Sequence, residues 1–290
     1  MKNSKWNKWF AMAACIVAGS LMLVGCGDGD SGKESEKGTP EKYTIEVLTE
    51  GGKALEDVGV YVYTDASQKD LVGAGETDDE GKLSFQATDA EDCVIVLKDV
   101  PRGYVLEDTY VVTDNDTQVV LKSKLLSTEE IADVTFELGD VFVDMSVEAD
   151  GKTYTISELL KEKKAVVLNF WYLNCGPCKM EFPFLQESYA ANKDKIEVLA
   201  LNPVDGTKET VDAFKSENKL TFPMAACDAK WEKTMKLSAY PTTIVIDRYG
   251  TIAFMHRGSI TETETFDKIF AYFTAEDYKQ VEVRNLKDLK

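Results

Sequence analysis

Ala165-Val166-Val167-Leu168-Asn169-Phe170-Trp171 is followed, three residues later, by Cys175-Gly176-Pro177-Cys178-Lys179-Met180-Glu181-Phe182-Pro183. The first segment is apolar and β-branched, the composition of a buried strand. The second opens a run carrying Met180, Phe182, Phe184, Leu185 and Tyr189 at partly helical spacing. This pattern predicts a strand, a short turn and a helix beginning at Cys178, with Cys175 at the helix N-terminus. A thiolate there is stabilised by the helix dipole and by backbone N–H groups that lack helical partners, which lowers its pKa. Cys178, one turn on, lies within reach to close a disulfide. The pair therefore reads as a dithiol–disulfide exchange site: Cys175 attacks, a mixed disulfide forms, and Cys178 displaces it. Gly176-Pro177 suits a tight helix start, because the N–H that proline lacks would have no helical partner there. Two other readings of a CxxC compete, half of a zinc site and a structural disulfide. Zinc needs four ligands, and the chain has no second CxxC and one histidine, His256, so no metal is expected. A compartment outside the cytoplasm permits a structural disulfide.

The residues around the motif carry a resemblance. Phe170-Trp171 before the first cysteine, Pro183 five residues after the second, and Tyr240-Pro241-Thr242-Thr243-Ile244-Val245-Ile246-Asp247 downstream are similar to thioredoxin-like proteins. Residues 138–275 resemble the extracytoplasmic TlpA/ResA type. The resemblance implies a thioredoxin-like α/β fold, with Cys175 exposed at the helix start and Cys178 more shielded. It implies no cofactor beyond the redox-active Cys175–Cys178 disulfide. Glu181, near one turn beyond Cys178, is then expected to tune the thiols or transfer a proton, since an acid near a thiol shifts its pKa. Pro241 is the expected cis-proline, placing the Tyr240 backbone where an extended substrate strand can pair. Trp171, packed against the site, joins Tyr240, Gly176 and Pro177 as the substrate-side residues. Two departures stand out. Asn169 occupies the place of the buried aspartate of cytoplasmic thioredoxin, which raises the weight on Glu181. Asn174 replaces the tryptophan that often precedes the first cysteine, so substrate preference can differ. His256 reads as a surface strand residue, with no spacing that pairs it to a cysteine.

The chain has 290 residues and a net charge of −18. The length suggests two domains, and the charge disfavours nucleic acid or an anionic membrane surface as an electrostatic partner. Lys2, Lys5 and Lys8 precede an uncharged apolar stretch, Trp9 to Val24, the layout of a targeting segment. Leu23-Val24-Gly25-Cys26 resembles the lipobox of bacterial lipoproteins, which implies cleavage before Cys26 and a lipid on its sulfur; an uncleaved anchor or an ordinary signal peptide is the alternative. Asp28 to Glu41, rich in Gly, Ser, Lys and Glu, reads as a flexible tether. Of the six cysteines, Cys15 falls in the leader, and Cys93 and Cys227 remain single, small buried apolar residues rather than reactive thiols.

Between Tyr43 and Leu125, short strands alternate with Gly and Asp turns: Tyr43–Leu48, Val58–Tyr63, Leu83–Phe85, Val94–Leu97, Tyr110–Val112 and Gln118–Leu121. That spacing indicates an all-β Ig-like or prealbumin-like sandwich. Thr77-Asp78-Asp79-Glu80-Gly81-Lys82 and Val100-Pro101-Arg102-Gly103-Tyr104 resemble the Cna-B or carboxypeptidase-regulatory-like family. The isopeptide crosslink of some Cna-B domains is not expected, since Val47 and Leu97 stand at the places of its lysine and glutamate. The organisation is then a leader (1–25), a tether (26–42), the sandwich (43–125), a linker (126–137), the thioredoxin-like part (138–275) and a polar tail (276–290). The expected function is a lipid-anchored, extracytoplasmic thiol–disulfide oxidoreductase. It would reduce disulfides of exported proteins, apocytochrome c among them, with electrons from a membrane donor of the CcdA or DsbD kind. The rivals are a surface binding or adhesion lipoprotein with an accessory redox part, and an extracytoplasmic thiol peroxidase.

Overall fold

Alternation of buried and exposed residues organises the N-terminal half, in which β1 (Glu41–Thr49) buries Tyr43, Ile45, Val47 and Thr49 at every second position. The structure, a computed structural model, describes residues 39–131 and 134–289; the leader, Cys26 and the tether as far as Gly38 lie outside the described residues. Glu41 and Lys42, read as the end of the tether, already belong to β1. The following strands are β2 (Gly59–Tyr63), β3 (Leu71–Glu76), β4 (Lys82–Ala87), β5 (Val94–Lys98), β6 (Tyr104–Val105), β7 (Tyr110–Val111) and β8 (Asp116–Ser123). They form two four-stranded sheets, ordered β4-β1-β8-β6 and β3-β2-β5-β7. β1 pairs antiparallel with β4 and parallel with β8. Ile45, Val47, Val119 and Leu121 from the first sheet share one buried cluster with Val60, Val62, Ile95 and Leu97 from the second. Cys93 is a free, buried member of that cluster.

The strand β3 has no counterpart in the sequence reading, because Gly73 and Gly75 weaken a strand pattern. Their reason is close approach. A Cβ on Gly73 would lie 2.6 Å from the Phe85 ring, and one on Gly75 would lie 2.6 Å from Leu83 Cδ1. Both glycines let the β4 side chains lie directly on the β3 backbone.

In the C-terminal half, β9 (Ser146–Ala149) and β10 (Lys152–Thr155) form a hairpin leading into α1 (Ile156–Glu162). Then come β11 (Ala165–Phe170), α2 (Gly176–Asn192), β12 (Ile196–Asn202), α3 (Lys208–Glu217), β13 (Met224–Ala226), α4 (Lys230–Thr234), β14 (Thr242–Asp247), β15 (Ile252–Arg257) and α5 (Thr263–Thr274). The sheet order is β13-β12-β11-β14-β15. β11 runs parallel to β12, with α2 as the crossover, and antiparallel to β14, which turns back into β15. This is the thioredoxin-like arrangement.

Every residue of β11 is buried, because both faces of the sheet are covered. Val167, Val198 and Val245 point to a core shared with Phe182 and Leu185 of α2, Phe214 of α3 and Phe266 and Phe270 of α5. Val166, Leu168 and Ile244 point the other way, to a core with Phe142, Met145, Ile156 and Trp231.

Two segments read as connectors are integral to the packing. Leu126 and Ile131, in the expected linker, are buried in the second core. In the expected polar tail, Tyr278, Gln280 and Val283 are buried, and Val283 bridges to Phe254 of β15. This tail also joins the two halves: the Gln280 N–H donates to the Gly51 carbonyl (3.0 Å), and Lys53 pairs with Glu282 (2.7 Å). Ser123 Oγ adds a hydrogen bond to the Tyr249 carbonyl (2.5 Å) in the β14–β15 turn. Residues 38–290 thus form one unit.

Candidate active site

Cys175 is the N-cap of α2, and its Sγ accepts the Cys178 N–H at 3.1 Å. The two cysteines are joined as a disulfide with Cα atoms 5.3 Å apart. Two features fix the turn before them. The Trp171 N–H extends the sheet by donating to Leu201 O (3.0 Å), and the Cys175 N–H closes back on Tyr172 O (3.1 Å). Gly176 and Pro177 occupy the first two helical positions and are exposed. The helix therefore starts at Gly176, two residues earlier than the apolar spacing indicates.

Cys175 departs from expectation. It is 1% exposed, as buried as Cys178 at 0%. Its sulfur belongs to the core cluster that includes Trp171 and Phe182, and Tyr172, Leu173 and Tyr240 pack against that cluster. Trp171 requires a second correction. It is fully buried between Phe182 (ring centroids 5.3 Å) and Phe214 (4.8 Å), so it supports the site from below and offers no surface to a substrate.

The Tyr240–Pro241 peptide bond is cis. The Tyr240 ring meets Tyr172 edge to face at 5.4 Å, and its hydroxyl donates to Glu232 Oε1 of α4 at 2.8 Å. Burial and the neighbouring Glu232 push the Tyr240 hydroxyl up, so it remains protonated.

Glu181 is fully buried. Oε1 accepts Asn169 Nδ2 at 2.7 Å, and Oε2 accepts the Ile260 N–H at 2.7 Å. Burial raises its pKa to about 7 from 4.5, against the opposing effect of those two hydrogen bonds. Asn169 Nδ2 also reaches Thr243 Oγ1 (3.2 Å), its cross-strand neighbour on β14. The Glu181 carboxyl thus sits one helical turn past Cys178 on α2, able to hold or release a proton near neutral pH.

The sequence reading missed the partners that complete this arrangement. Thr243 was legible once β14 was aligned antiparallel to β11, but Ile260 lies in a loop with no local signal. His256 is half-buried in register with Thr243 on β15, and burial lowers its pKa. Cys227 follows β13 as a free, partly buried thiol, pushed up to about 12 by burial and by Asp228 and Glu232. Among the described residues, no group of three His, Cys, Asp or Glu side chains converges on a metal-sized site.

The C-terminal half is similar to known proteins. The profile of the AhpC/TSA family matches residues 138–255, beginning beyond the two-sheet half. The thiol-disulfide oxidoreductase ResA of Oceanobacillus iheyensis is 37% identical over 133 residues, covering 43% of this chain and 68% of the relative. ResA of Bacillus subtilis is 32% identical over 122 residues, covering 41% of this chain and 66% of the relative. The chain spans about two thirds of the length of these relatives. Among solved structures, StoA from Bacillus subtilis is 25% identical, covering 43% of this chain and 96% of that one, with a TM-score of 0.37.

Proposed function

The chain belongs to the ResA family of thiol-disulfide oxidoreductases, and from that premise we propose that it reduces disulfides of exported proteins through Cys175 and Cys178. The observation that carries this reading is the disulfide at the N-terminus of α2, with Cys175 Sγ on the Cys178 N–H. In the reduced protein that N–H and the helix terminus stabilise a Cys175 thiolate. The thiolate attacks one sulfur of the substrate disulfide. A Cys175–substrate mixed disulfide forms and the other substrate sulfur leaves as a thiolate. Cys178, deprotonated, then attacks Cys175 Sγ and releases the second substrate thiolate. The substrate gains two electrons, and the protein is left with the Cys175–Cys178 bond. Glu181, with its pKa raised to about 7, is the group suited to take the Cys178 proton. The Tyr240–Pro241 edge and the exposed Gly176 and Pro177 would form the surface for an extended substrate segment. Because Cys175 is buried, side chains around it must shift for a substrate sulfur to reach it.

The wider setting belongs to the same proposal. A lipid on Cys26 would hold the protein at the outer face of the membrane, where a membrane-embedded dithiol of the CcdA or DsbD kind would reduce it again. Apocytochrome c is one substrate class consistent with this placement. The two-sheet half, read as an Ig-like sandwich, would serve as a spacer or docking surface. Among the described residues no helix is long and apolar enough to cross a membrane.

The test is insulin reduction by the purified protein with dithiol recycling. Cys175→Ser is expected to abolish it, and Cys178→Ser to accumulate a mixed disulfide with substrate. Undiminished turnover by Cys175→Ser would overturn the reading. Replacement of Cys26 by Ser is expected to release the protein from the membrane fraction.

A further inference from the structure

The loop after β12 is held by one buried side chain. Asn202, 1% exposed at the strand end, accepts the N–H groups of Val204, Asp205 and Gly206 on Oδ1 at 3.0, 3.1 and 3.2 Å. Gly206 lets the loop close this tightly, since a Cβ there would lie 2.8 Å from Asn202 Cγ. The loop backbone is gathered by Asn202 Oδ1, and the Asp205 carboxylate accepts none of its N–H groups. That carboxylate instead reaches across to another element. Its Oδ1 accepts the Leu173 N–H at 2.8 Å and is steadied by Asn202 Nδ2 at 3.1 Å. Leu173 lies inside the Tyr172–Cys175 turn, whose closing hydrogen bond is Cys175 N–H to Tyr172 O. Among the described residues, this contact is the side-chain hydrogen bond that ties the turn's backbone to another loop.

We infer that Asp205 is a positioning residue for the nucleophile: by holding the Leu173 N–H it sets the turn that places Cys175 Sγ on the Cys178 N–H. The inference deepens the exchange reading above and rests on Cys175 being the attacking sulfur. A hydrogen bond to a carboxylate is stronger than one between neutral groups, which suits a contact that must define an exposed turn. When the anchor is lost, the turn has more conformations and Sγ spends less time at the helix terminus. The thiolate is then less stabilised, and the Cys175 pKa rises.

The opposite sign is expected if Asp205 acts by charge alone. A carboxylate near a thiolate disfavours it, so removing the charge would lower the Cys175 pKa in any neutral variant. Asp205→Asn and Asp205→Ala separate the two. The asparagine carbonyl still accepts the Leu173 N–H without charge, and alanine removes both.

The experiment measures the pH dependence of iodoacetamide labelling of Cys175 in the reduced full chain, read by peptide mass spectrometry. Positioning predicts an Asp205→Ala midpoint raised by about half a pH unit or more, the scale of a helix-terminus charge interaction. It predicts an Asp205→Asn midpoint within about 0.2 units of wild type, a small fraction of that same interaction. A midpoint that falls in both variants, or is unchanged in Asp205→Ala, overturns it. A fold-wide disturbance would instead show as equal shifts in both variants with a lowered thermal midpoint, and that pattern overturns it as well. The wild-type profile separately reports whether Cys175 labels ahead of Cys178. Failure of the exchange reading is thus seen in one protein and failure of this inference in the comparison of three.

Discussion

Replacing Glu181 by glutamine should stabilise the oxidised protein, and only at neutral and alkaline pH. Glu181 is fully buried, and burial lifts its pKa to about 7 in the folded chain from 4.5 when solvated. Because the folded value is raised, the native state binds the extra proton between those two pH values. The stability tied to that proton is fully present below pH 4.5 and is lost as pH rises through about 7. The gap corresponds to about 3 kcal/mol at about 1.4 kcal/mol per pH unit. Glutamine has nearly the same shape and no charge to desolvate. Any cost of re-pairing the Asn169 amide and the Ile260 N–H is present at every pH and cancels in the comparison. The assay is denaturant unfolding of wild type and Glu181→Gln at about pH 4.5 and pH 8.5, with the Cys175–Cys178 bond intact so that neither thiol titrates. Relative to wild type, the variant should gain about 3 kcal/mol between the two conditions. Parallel pH dependences, with a difference under about 1 kcal/mol, would refute the assignment of a near-neutral buried carboxyl and with it the proton-accepting role.

Tyr278→Phe removes a buried hydroxyl that donates to Asp247 Oδ2 at 2.9 Å. The expected loss is about 1–3 kcal/mol in denaturant unfolding, and it grows as pH rises through the Asp247 pKa, which burial holds above the usual carboxylate value, because the charged carboxylate then has one donor fewer. Gly73→Ala drives a methyl to within 2.6 Å of the Phe85 ring, whose Cγ and Cβ would also lie at 2.7 and 3.2 Å and so leave the ring little room to turn away, and should cost about 1–3 kcal/mol in the same assay. A truncated chain beginning at Leu125 should keep insulin reduction near the full-chain rate while unfolding at a lower temperature. It retains the sheet and Leu126 and Ile131 but loses Lys53–Glu282 and Ser123–Tyr249. A folded truncated chain with strongly reduced insulin turnover would show that the two-sheet half shapes the site.

The Cys175–Cys178 pair at a helix start was legible because its pattern is local. An apolar strand, a helix start and a CxxC lie between Ala165 and Cys178, and strand and helix periodicities change visibly around them. Glu181 was visible for the same reason, as a residue at a fixed helical spacing from Cys178. Its burial was not, because the groups that hold it come from Asn169 and Ile260, which sequence spacing does not bring together. Asp205 escaped for that reason too: its partner Leu173 is 32 positions away and offers only a backbone N–H. The tail misled in the other direction. Its polar composition conceals Tyr278, Gln280 and Val283, whose partners Asp247, Gly51 and Phe254 lie on three different elements.

The attachment of the two-sheet half also has a steric consequence. Tyr249, where Ser123 docks, follows Asp247, and Asp247 pairs with Ala165 at the start of β11. The disulfide lies past the other end of that strand, about 17 Å away at about 3.3 Å per residue. Among the described residues, Ser123 of the two-sheet half is therefore docked at the opposite end of β11 from Cys175. Redox encounters tend to use small footprints, and among the described residues the Ser123–Tyr249 contact lies at the far end of β11 from that footprint. On the exchange reading, a partner reaching the sulfur meets the Tyr172–Cys175 turn rather than the Ser123–Tyr249 contact.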